Sequence, residues 1–377
     1  MRILFTGGGT GGHFYPIIAV AEKTSEVISN RKILGAKLYF MSNSPYDKKA
    51  LADNNIKYIY SPAGKLRIYF SLKTIIEVIK IGFGLITATV KMFFIYPDVI
   101  FSKGGYGSVP ALFAARILRI PVIIHESDSF PGRVTLWSAK FAKKIAISYQ
   151  EASVFFKEYE EKVAWTGQPI RKEILHPIKE GANEFLGLNK DIPTIFIIGG
   201  SLGAMAINDA VLNILPSLLE KYQIIHQIGK ANMEEVETRL KVILEENPNK
   251  DRYKPMAFLN PLAMKMSAGV ADLVISRAGS TIFELATWGI PSIIIPIPEE
   301  ISRDQKKNAF AYARAGGCIV LEQNNITPSV FLSTIESIID NPEKSSELKL
   351  AAKRFARGEA SQTIAEEIVD IAMSHYR

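Results

Sequence analysis

A chain of 377 residues, 47% hydrophobic and 22% charged, reads as a packed globular protein too long for one ordinary core, so two domains are expected. The single cysteine, Cys318, excludes a disulfide framework and points to a reducing compartment. The net charge of +7 is uneven: residues 1–168 hold 22 Lys and Arg against 12 Asp and Glu, a net +10, and residues 169–377 carry −3. The first half is therefore expected to face something anionic, either nucleic acid or an acidic membrane surface.

Ile3-Leu4-Phe5-Thr6 reads as a short strand running into Gly7-Gly8-Gly9-Thr10-Gly11-Gly12-His13, with a helical pattern from about Pro16. Strand, glycine turn and helix bring backbone N–H groups and a helix N-terminus up to a phosphate. A Cβ would block that approach, and His13 holds a titratable group over the ligand. Gly7-x-Gly9-x-x-Gly12 also fits a dinucleotide fingerprint, which needs an acid at the end of the second strand. Lys37-Leu38-Tyr39-Phe40-Met41 ends instead in Ser42-Asn43, which argues against a nicotinamide or flavin dinucleotide. A tight turn without ligand stays open as the alternative. The early glycine turn also breaks any signal-peptide pattern.

Apolar runs of strand length alternate with helical patterns, as in a parallel sheet covered on both faces. Strands are expected near 2–6, 37–42, 57–60, 98–102, 121–125 and 144–148. Asp98-Val99-Ile100-Phe101-Ser102 runs into a second glycine turn, Lys103-Gly104-Gly105-Tyr106-Gly107-Ser108. Val122-Ile123-Ile124 delivers His125-Glu126-Ser127-Asp128 at a strand's C-terminal end, where open α/β sheets bind ligands.

Between these strands, Lys65 to Tyr96 carries Leu72, Ile75 or Ile76, Ile79, Phe83, Ile86 and Val90 at helical spacing, with Lys73, Lys80 and Lys91 on another stripe. Its longest uncharged run, Ile81 to Val90, is too short for the roughly 20 residues a bilayer requires. Part of this helix packs in the first domain. The surplus apolar side chains and lysines fit a segment lying on an anionic membrane surface, with Lys73, Ile76, Ile79, Lys80 and Phe83 as contacts.

The pattern breaks at Gly167-Gln168-Pro169-Ile170-Arg171, read as a hinge, and restarts with Thr194-Ile195-Phe196-Ile197-Ile198 and Gly199-Gly200-Ser201-Leu202-Gly203-Ala204. The simplest architecture is two doubly wound domains with a cleft between them: residues 1–168, and residues 169–357 followed by a helix of about 358–377. Further strands are expected near 223–227, 255–258, 272–276, 292–296 and 318–321. Gly199-x-Ser201-x-Gly203 also fits a hydrolase nucleophile elbow, but only His226 and His375 remain downstream as bases. A phosphate turn with Ser201 Oγ as a donor fits better. Leu273-Val274-Ile275-Ser276 leads into Arg277-Ala278-Gly279-Ser280-Thr281, with Ser280 as an expected N-cap and Glu284 in the first helical turn. There Glu284 either complements the helix dipole or binds vicinal ribose hydroxyls. Arg171 is either a surface cation or a diphosphate ligand.

Taken in order, these stretches resemble the MurG family of glycosyltransferases, over nearly the whole chain. The matching residues are Gly8-Gly9-Thr10-Gly11-Gly12-His13, Gly104-Gly105-Tyr106-Gly107-Ser108, His125-Glu126, Gly167 to Arg171, Gly199 to Ala204, and Arg277 to Thr281 with Glu284. The resemblance implies a GT-B fold: two Rossmann-like α/β domains, with the C-terminal helix packing back on the first. It implies inverting transfer of N-acetylglucosamine from UDP-GlcNAc to the C4 hydroxyl of the muramoyl unit of undecaprenyl-diphosphate-linked lipid I. No protein-held metal and no nucleic acid are implied. The partners are an anionic membrane surface and other cell-wall synthesis proteins, at the cytoplasmic face of the membrane.

By the same resemblance Glu284 takes the ribose hydroxyls and the backbone near Leu259 the uracil. Arg171, Ser201, Ser280 and Thr281 lie at the donor diphosphate, and Gln305 near the sugar. Thr10, Gly11, Gly12 and Asp128 complete the donor site from the first domain. Gly9, Gly104, Gly105 and Tyr106 receive the lipid diphosphate, and His13 is the base. A UDP-GlcNAc 2-epimerase and a non-catalytic nucleotide-sugar binder are the alternatives.

Overall fold

The computed structural model describes residues 1–8, 10–64, 72–200, 203–302 and 304–374, and the side chains of 72–76 fall outside that description. Two compact units form: Met1–Arg171 with Gly358–Arg377, and Lys172–Arg357. The division follows Arg171, where the sequence reading set it after Gln168.

The first unit holds seven parallel strands: β1 Arg2–Thr6, β2 Lys37–Ser42, β3 Ile56–Tyr60, β4 Val99–Ser102, β5 Val122–Glu126, β6 Lys144–Ile147 and β7 Val163–Trp165. Their order is β3-β2-β1-β4-β5-β6-β7, so the winding reverses between β1 and β4. Ile3, Leu4 and Phe5 are fully buried, because helices cover both faces and each strand must be apolar throughout. One face packs on the Gly11–Asn30 and Ala360–Met373 helices, which share a core with Phe5, Ile17, Ile364 and Ile368. The C-terminal helix thus belongs to the first unit.

The first helix begins at Gly11, not near Pro16. The N–H groups of His13 and Phe14 already bond to Thr10 O at 3.2 and 3.1 Å, so His13 sits in its opening turn. Pro16 lies inside the helix, where its missing N–H removes a helix bond. Strand β7 escaped the sequence reading because three residues carry too little periodicity to register.

Leu72–Ile95 forms a single helix whose Ala88 and Met92 are buried in the first unit's other core, beside Leu4 and Ile100. By length and composition Glu77–Ile95 suffices to cross a bilayer, a correction to the reading that counted only Ile81 to Val90. A helix that packs Ala88 and Met92 into a sheet core is not thereby a span. Its outer face leaves Ile79 66%, Phe83 60%, Ile86 66% and Phe94 78% exposed.

The second unit holds six parallel strands: β8 Thr194–Ile198, β9 Gln223–Gln227, β10 Tyr253–Met256, β11 Leu273–Ser276, β12 Ser292–Ile294 and β13 Ile319–Val320. Their order is β10-β9-β8-β11-β12-β13, reversing between β8 and β11. The Met205–Lys221 helix buries Ile207, Val211, Leu215 and Leu218 against this sheet.

Candidate functional site

In an open α/β sheet a ligand binds beyond the C-terminal ends of the strands, where the winding reverses. In the first unit that place is the pair of turns after β1 and β4. Lys103 N–H bonds to Thr6 O at 3.0 Å and ties the two turns at their base. Gly104 and Gly105 have φ of +73° and +77°, a conformation that strains any residue with a Cβ. A Cβ on Gly105 would also stand 2.9 Å from Gly8 O. The two glycine turns are therefore packed together as one surface, at an approach that only glycine allows. Tyr106 lies beside it, its hydroxyl accepting a hydrogen bond from Asn43 Nδ2 at 3.4 Å. Gly9 lies outside the described residues.

His13 Nδ1 is 3.0 Å from Thr10 Oγ1. Burial and the Lys103 charge hold His13 below the usual histidine value of 6.5, against an upward pull from Asp128. The imidazole is thus neutral at pH 7, the form a base requires. Gly11 and Gly12 share its helical turn, and a Cβ on Gly11 would meet the Tyr46 hydroxyl at 2.7 Å. Arg171 lies over the Tyr15 ring, 3.8 Å from its centroid, in the first unit.

Beneath the turns lies a buried polar cluster that motif reading missed. Lys103 is 3% exposed, and its ammonium reaches His125 Nδ1 at 2.6 Å, Gln168 Oε1 at 3.4 Å, and Ser127 Oγ. His125 Nε2 donates to Gly167 O at 2.9 Å, which leaves Nδ1 as the acceptor for Lys103. Burial and the Lys103 charge push His125 well below its ordinary value. Glu126 accepts from the N–H groups of Ser127, Asp128 and Gly132 at 2.8, 3.1 and 3.0 Å, so its carboxylate shapes the loop that carries Asp128. The signal in the sequence was Lys103 ahead of the glycines and His125-Glu126 at a strand end, but their meeting spans 22 residues or more.

In the second unit the turns after β10, β11 and β12 carry the remaining described candidates to one end of the sheet. Thr281 opens the Thr281–Trp288 helix, with half-buried Glu284 in its first turn. Ser280 is not the N-cap expected: its φ and ψ of −59° and −19° are helical, and its side chain makes no capping bond. Leu259 N–H bonds to Gln227 Oε1 at 3.3 Å, and Gln227 Nε2 donates to Gly200 O at 2.9 Å, linking the turns after β9, β10 and β8. Gln305 begins the Gln305–Arg314 helix, and its Oε1 accepts from Ile297 N–H at 3.3 Å. Arg277 binds Ile295 O and Pro296 O at 3.1 and 3.2 Å, fixing the chain after β12. Ser201 lies outside the described residues. His226 is no hydrolase base: fully buried, it contacts Tyr253 Oη at 2.8 Å and Asn208 Oδ1 at 3.1 Å, and burial pushes it down to about 3.

On the Leu72–Ile95 helix, Ile79 and Phe83 are exposed as expected, whereas the lysine stripe is not a free row of charge. Lys80 pairs with Glu77 at 2.9 Å, and Lys91 donates to Tyr60 O at 2.6 Å. The side chains of Lys73 and Ile76 lie outside the described residues.

Comparison with known proteins matches both halves of the chain to one family. The glycosyltransferase family 28 N-terminal domain matches residues 3–147, and the family 28 C-terminal domain matches residues 194–367. A solved structure of Acinetobacter baumannii MurG superposes with a TM-score of 0.73 at 24% identity, covering 98% of this chain and 99% of that one. The Neisseria meningitidis UDP-GlcNAc 2-epimerase bound to UDP-GlcNAc shares the fold at a TM-score of 0.66 and 14% identity, covering 98% and 100%. A Bacillus cereus UDP-N-acetylglucosamine–N-acetylmuramyl-(pentapeptide) pyrophosphoryl-undecaprenol N-acetylglucosamine transferase is 37% identical over 369 residues, 97% of this chain and 99% of the relative. With that identity over nearly its whole length, the chain belongs to the MurG family of GT-B glycosyltransferases.

Proposed function

We propose that this protein transfers N-acetylglucosamine from UDP-GlcNAc to the muramoyl C4 hydroxyl of undecaprenyl-diphosphate-linked lipid I, with inversion at the anomeric carbon, to form lipid II. The observation that carries the reading is 37% identity, over nearly the whole length, to a UDP-N-acetylglucosamine–N-acetylmuramyl-(pentapeptide) pyrophosphoryl-undecaprenol N-acetylglucosamine transferase. In this mechanism the acceptor hydroxyl attacks the sugar C1, UDP leaves, and His13 takes the proton. In the tautomer whose Nδ1–H donates to Thr10 Oγ1, Nε2 is the unprotonated nitrogen that takes the proton. Glu284 holds the ribose hydroxyls, and the backbone at Leu259 the uracil. Ser280, Thr281, Ser201 and Arg171 meet the donor diphosphate, Gln305 the sugar, and Asp128 with Thr10, Gly11 and Gly12 the donor from the first unit. The paired glycine turns, Gly9, Gly104, Gly105 and Tyr106 among them, receive the acceptor diphosphate.

The acceptor is tied to a polyprenyl chain, so the protein works as a peripheral enzyme at the cytoplasmic face of the membrane. The exposed Ile79, Phe83, Ile86 and Phe94 and the +10 charge of residues 1–168 support that location. The test is transfer of labelled sugar from UDP-GlcNAc into a lipid fraction only when lipid I is added. Free UDP and N-acetylmannosamine without lipid I would instead make the protein an epimerase.

A further inference from the structure

We propose that the Lys103 ammonium is the counter-charge for the acceptor's diphosphate, acting from beneath the paired glycine turns and not by direct contact. The proposal rests on reading the first unit as the acceptor site and adds to it a residue and a coupled proton. A buried ammonium is normally matched by a carboxylate. Lys103 is 3% exposed, yet its hydrogen-bond partners His125, Ser127 and Gln168 are all neutral. Glu126, which stands in the adjoining strand, has its carboxylate committed to three backbone N–H groups.

The same cluster holds a second donor in want of an acceptor: Gln168 Nε2 is buried without a hydrogen-bond partner among the described residues. Gly104 and Gly105 follow Lys103 at once, and Gly105 packs so closely on Gly8 that a Cβ there would stand 2.9 Å from Gly8 O. Two buried donor groups with no carboxylate hydrogen-bonded to them, beside the glycine turns at a sheet's switch point, make a place electrostatically prepared for an anion. The charged and titratable groups that face Lys103 are His125 and Glu126 on β5, Asp128 after it, and His13 on the first helix. Burial brings Lys103 down to about 7 against upward pulls from Glu126 and Asp128. A dianion bound at the turns stabilises the charged form, so acceptor binding takes up a proton.

The experiment is calorimetric titration of the full chain with a short-chain lipid I analogue, at pH 8 in buffers of different ionisation enthalpy. With Lys103 fully charged in the complex, uptake approaches one proton per analogue at pH 8 and is about half at pH 7. His13, held below 6.5, contributes little at pH 8. Lys103→Met is expected to abolish the uptake at pH 8 and to raise KM for the analogue about ten- to a hundredfold, with KM for UDP-GlcNAc unchanged. Gln168→Glu places a carboxylate beside the ammonium, keeps Lys103 charged beforehand, and is expected to abolish the same uptake while weakening the analogue. Binding by the unaltered protein without proton uptake at pH 8 overturns the proposal, and so does a folded Lys103→Met that keeps it. If the unaltered protein does not bind the analogue at all while it binds UDP, the acceptor reading itself fails.

Discussion

The two units repeat one plan, with a parallel sheet whose winding reverses once and whose candidates gather at the strands' C-terminal ends, but they fill that place with different chemistry. In the first unit the edge holds His13, Lys103, His125, Glu126 and Asp128, and burial or mutual charge moves the first four off their ordinary ionisation. In the second unit the corresponding turns are joined by neutral amides through Gln227 and Gln305 and by the Arg277 guanidinium, with Glu284 in the first turn of the Thr281–Trp288 helix. The one histidine in its sheet, His226, is sealed in the core. On the proposed function, one plan yields an edge that handles the proton and an edge that holds the nucleotide. A second difference lies outside the edges: only the first unit carries the Leu72–Ile95 helix with its exposed aromatic face.

The largest break in this comparison is expected from His13→Ala, which lowers kcat about 10²- to 10⁴-fold as the loss of a general base. A loss confined to KM for the acceptor would make His13 a diphosphate ligand instead. Glu284→Ala is expected to weaken UDP-GlcNAc about ten- to a hundredfold, as loss of hydrogen bonds to a charged group. It should leave folding within about 1 kcal/mol, the contribution of a first-turn acid, by thermal melting. Replacing Ile79 and Phe83 together with serine is expected to reduce binding to anionic vesicles at least about tenfold, since each buries apolar area on insertion. Activity on a short-chain, water-soluble acceptor should survive, and equal loss on both acceptors would return the face to a role in the fold.

The smallest effect is in the pH profile. kcat/KM for the acceptor is expected to fall on the acid side below 6.5, as His13 gains its proton, and on the basic side from about 7, as Lys103 loses its own. Lys103→Met should remove the basic limb and keep the acid one.

Much of this was legible because it is local. A glycine turn after an apolar strand is contiguous, so both turns of the first unit and Thr281 with Glu284 could be read directly, together with most strands. What escaped depends on distance along the chain. Lys103 meets Gln168 across 65 residues, and no spacing rule links a lysine at a strand end to a glutamine before a domain boundary. Ser280 was misread for a different reason: Ser before Thr281 has the composition of a cap, but its backbone has already turned helical, which removes the geometry a cap needs. Lys91 looked like free surface charge because the stripe pattern cannot see Tyr60 O, 31 residues earlier.

The central claim, that the proton is handled in the first unit and the nucleotide held in the second, is tested most directly by titrating UDP into His13→Ala and Glu284→Ala side by side in a calorimeter. The account expects His13→Ala to bind UDP as the unaltered protein does while its kcat falls about 10²- to 10⁴-fold, and Glu284→Ala to lose affinity. A His13→Ala protein that is folded yet loses UDP as severely as Glu284→Ala would contradict it.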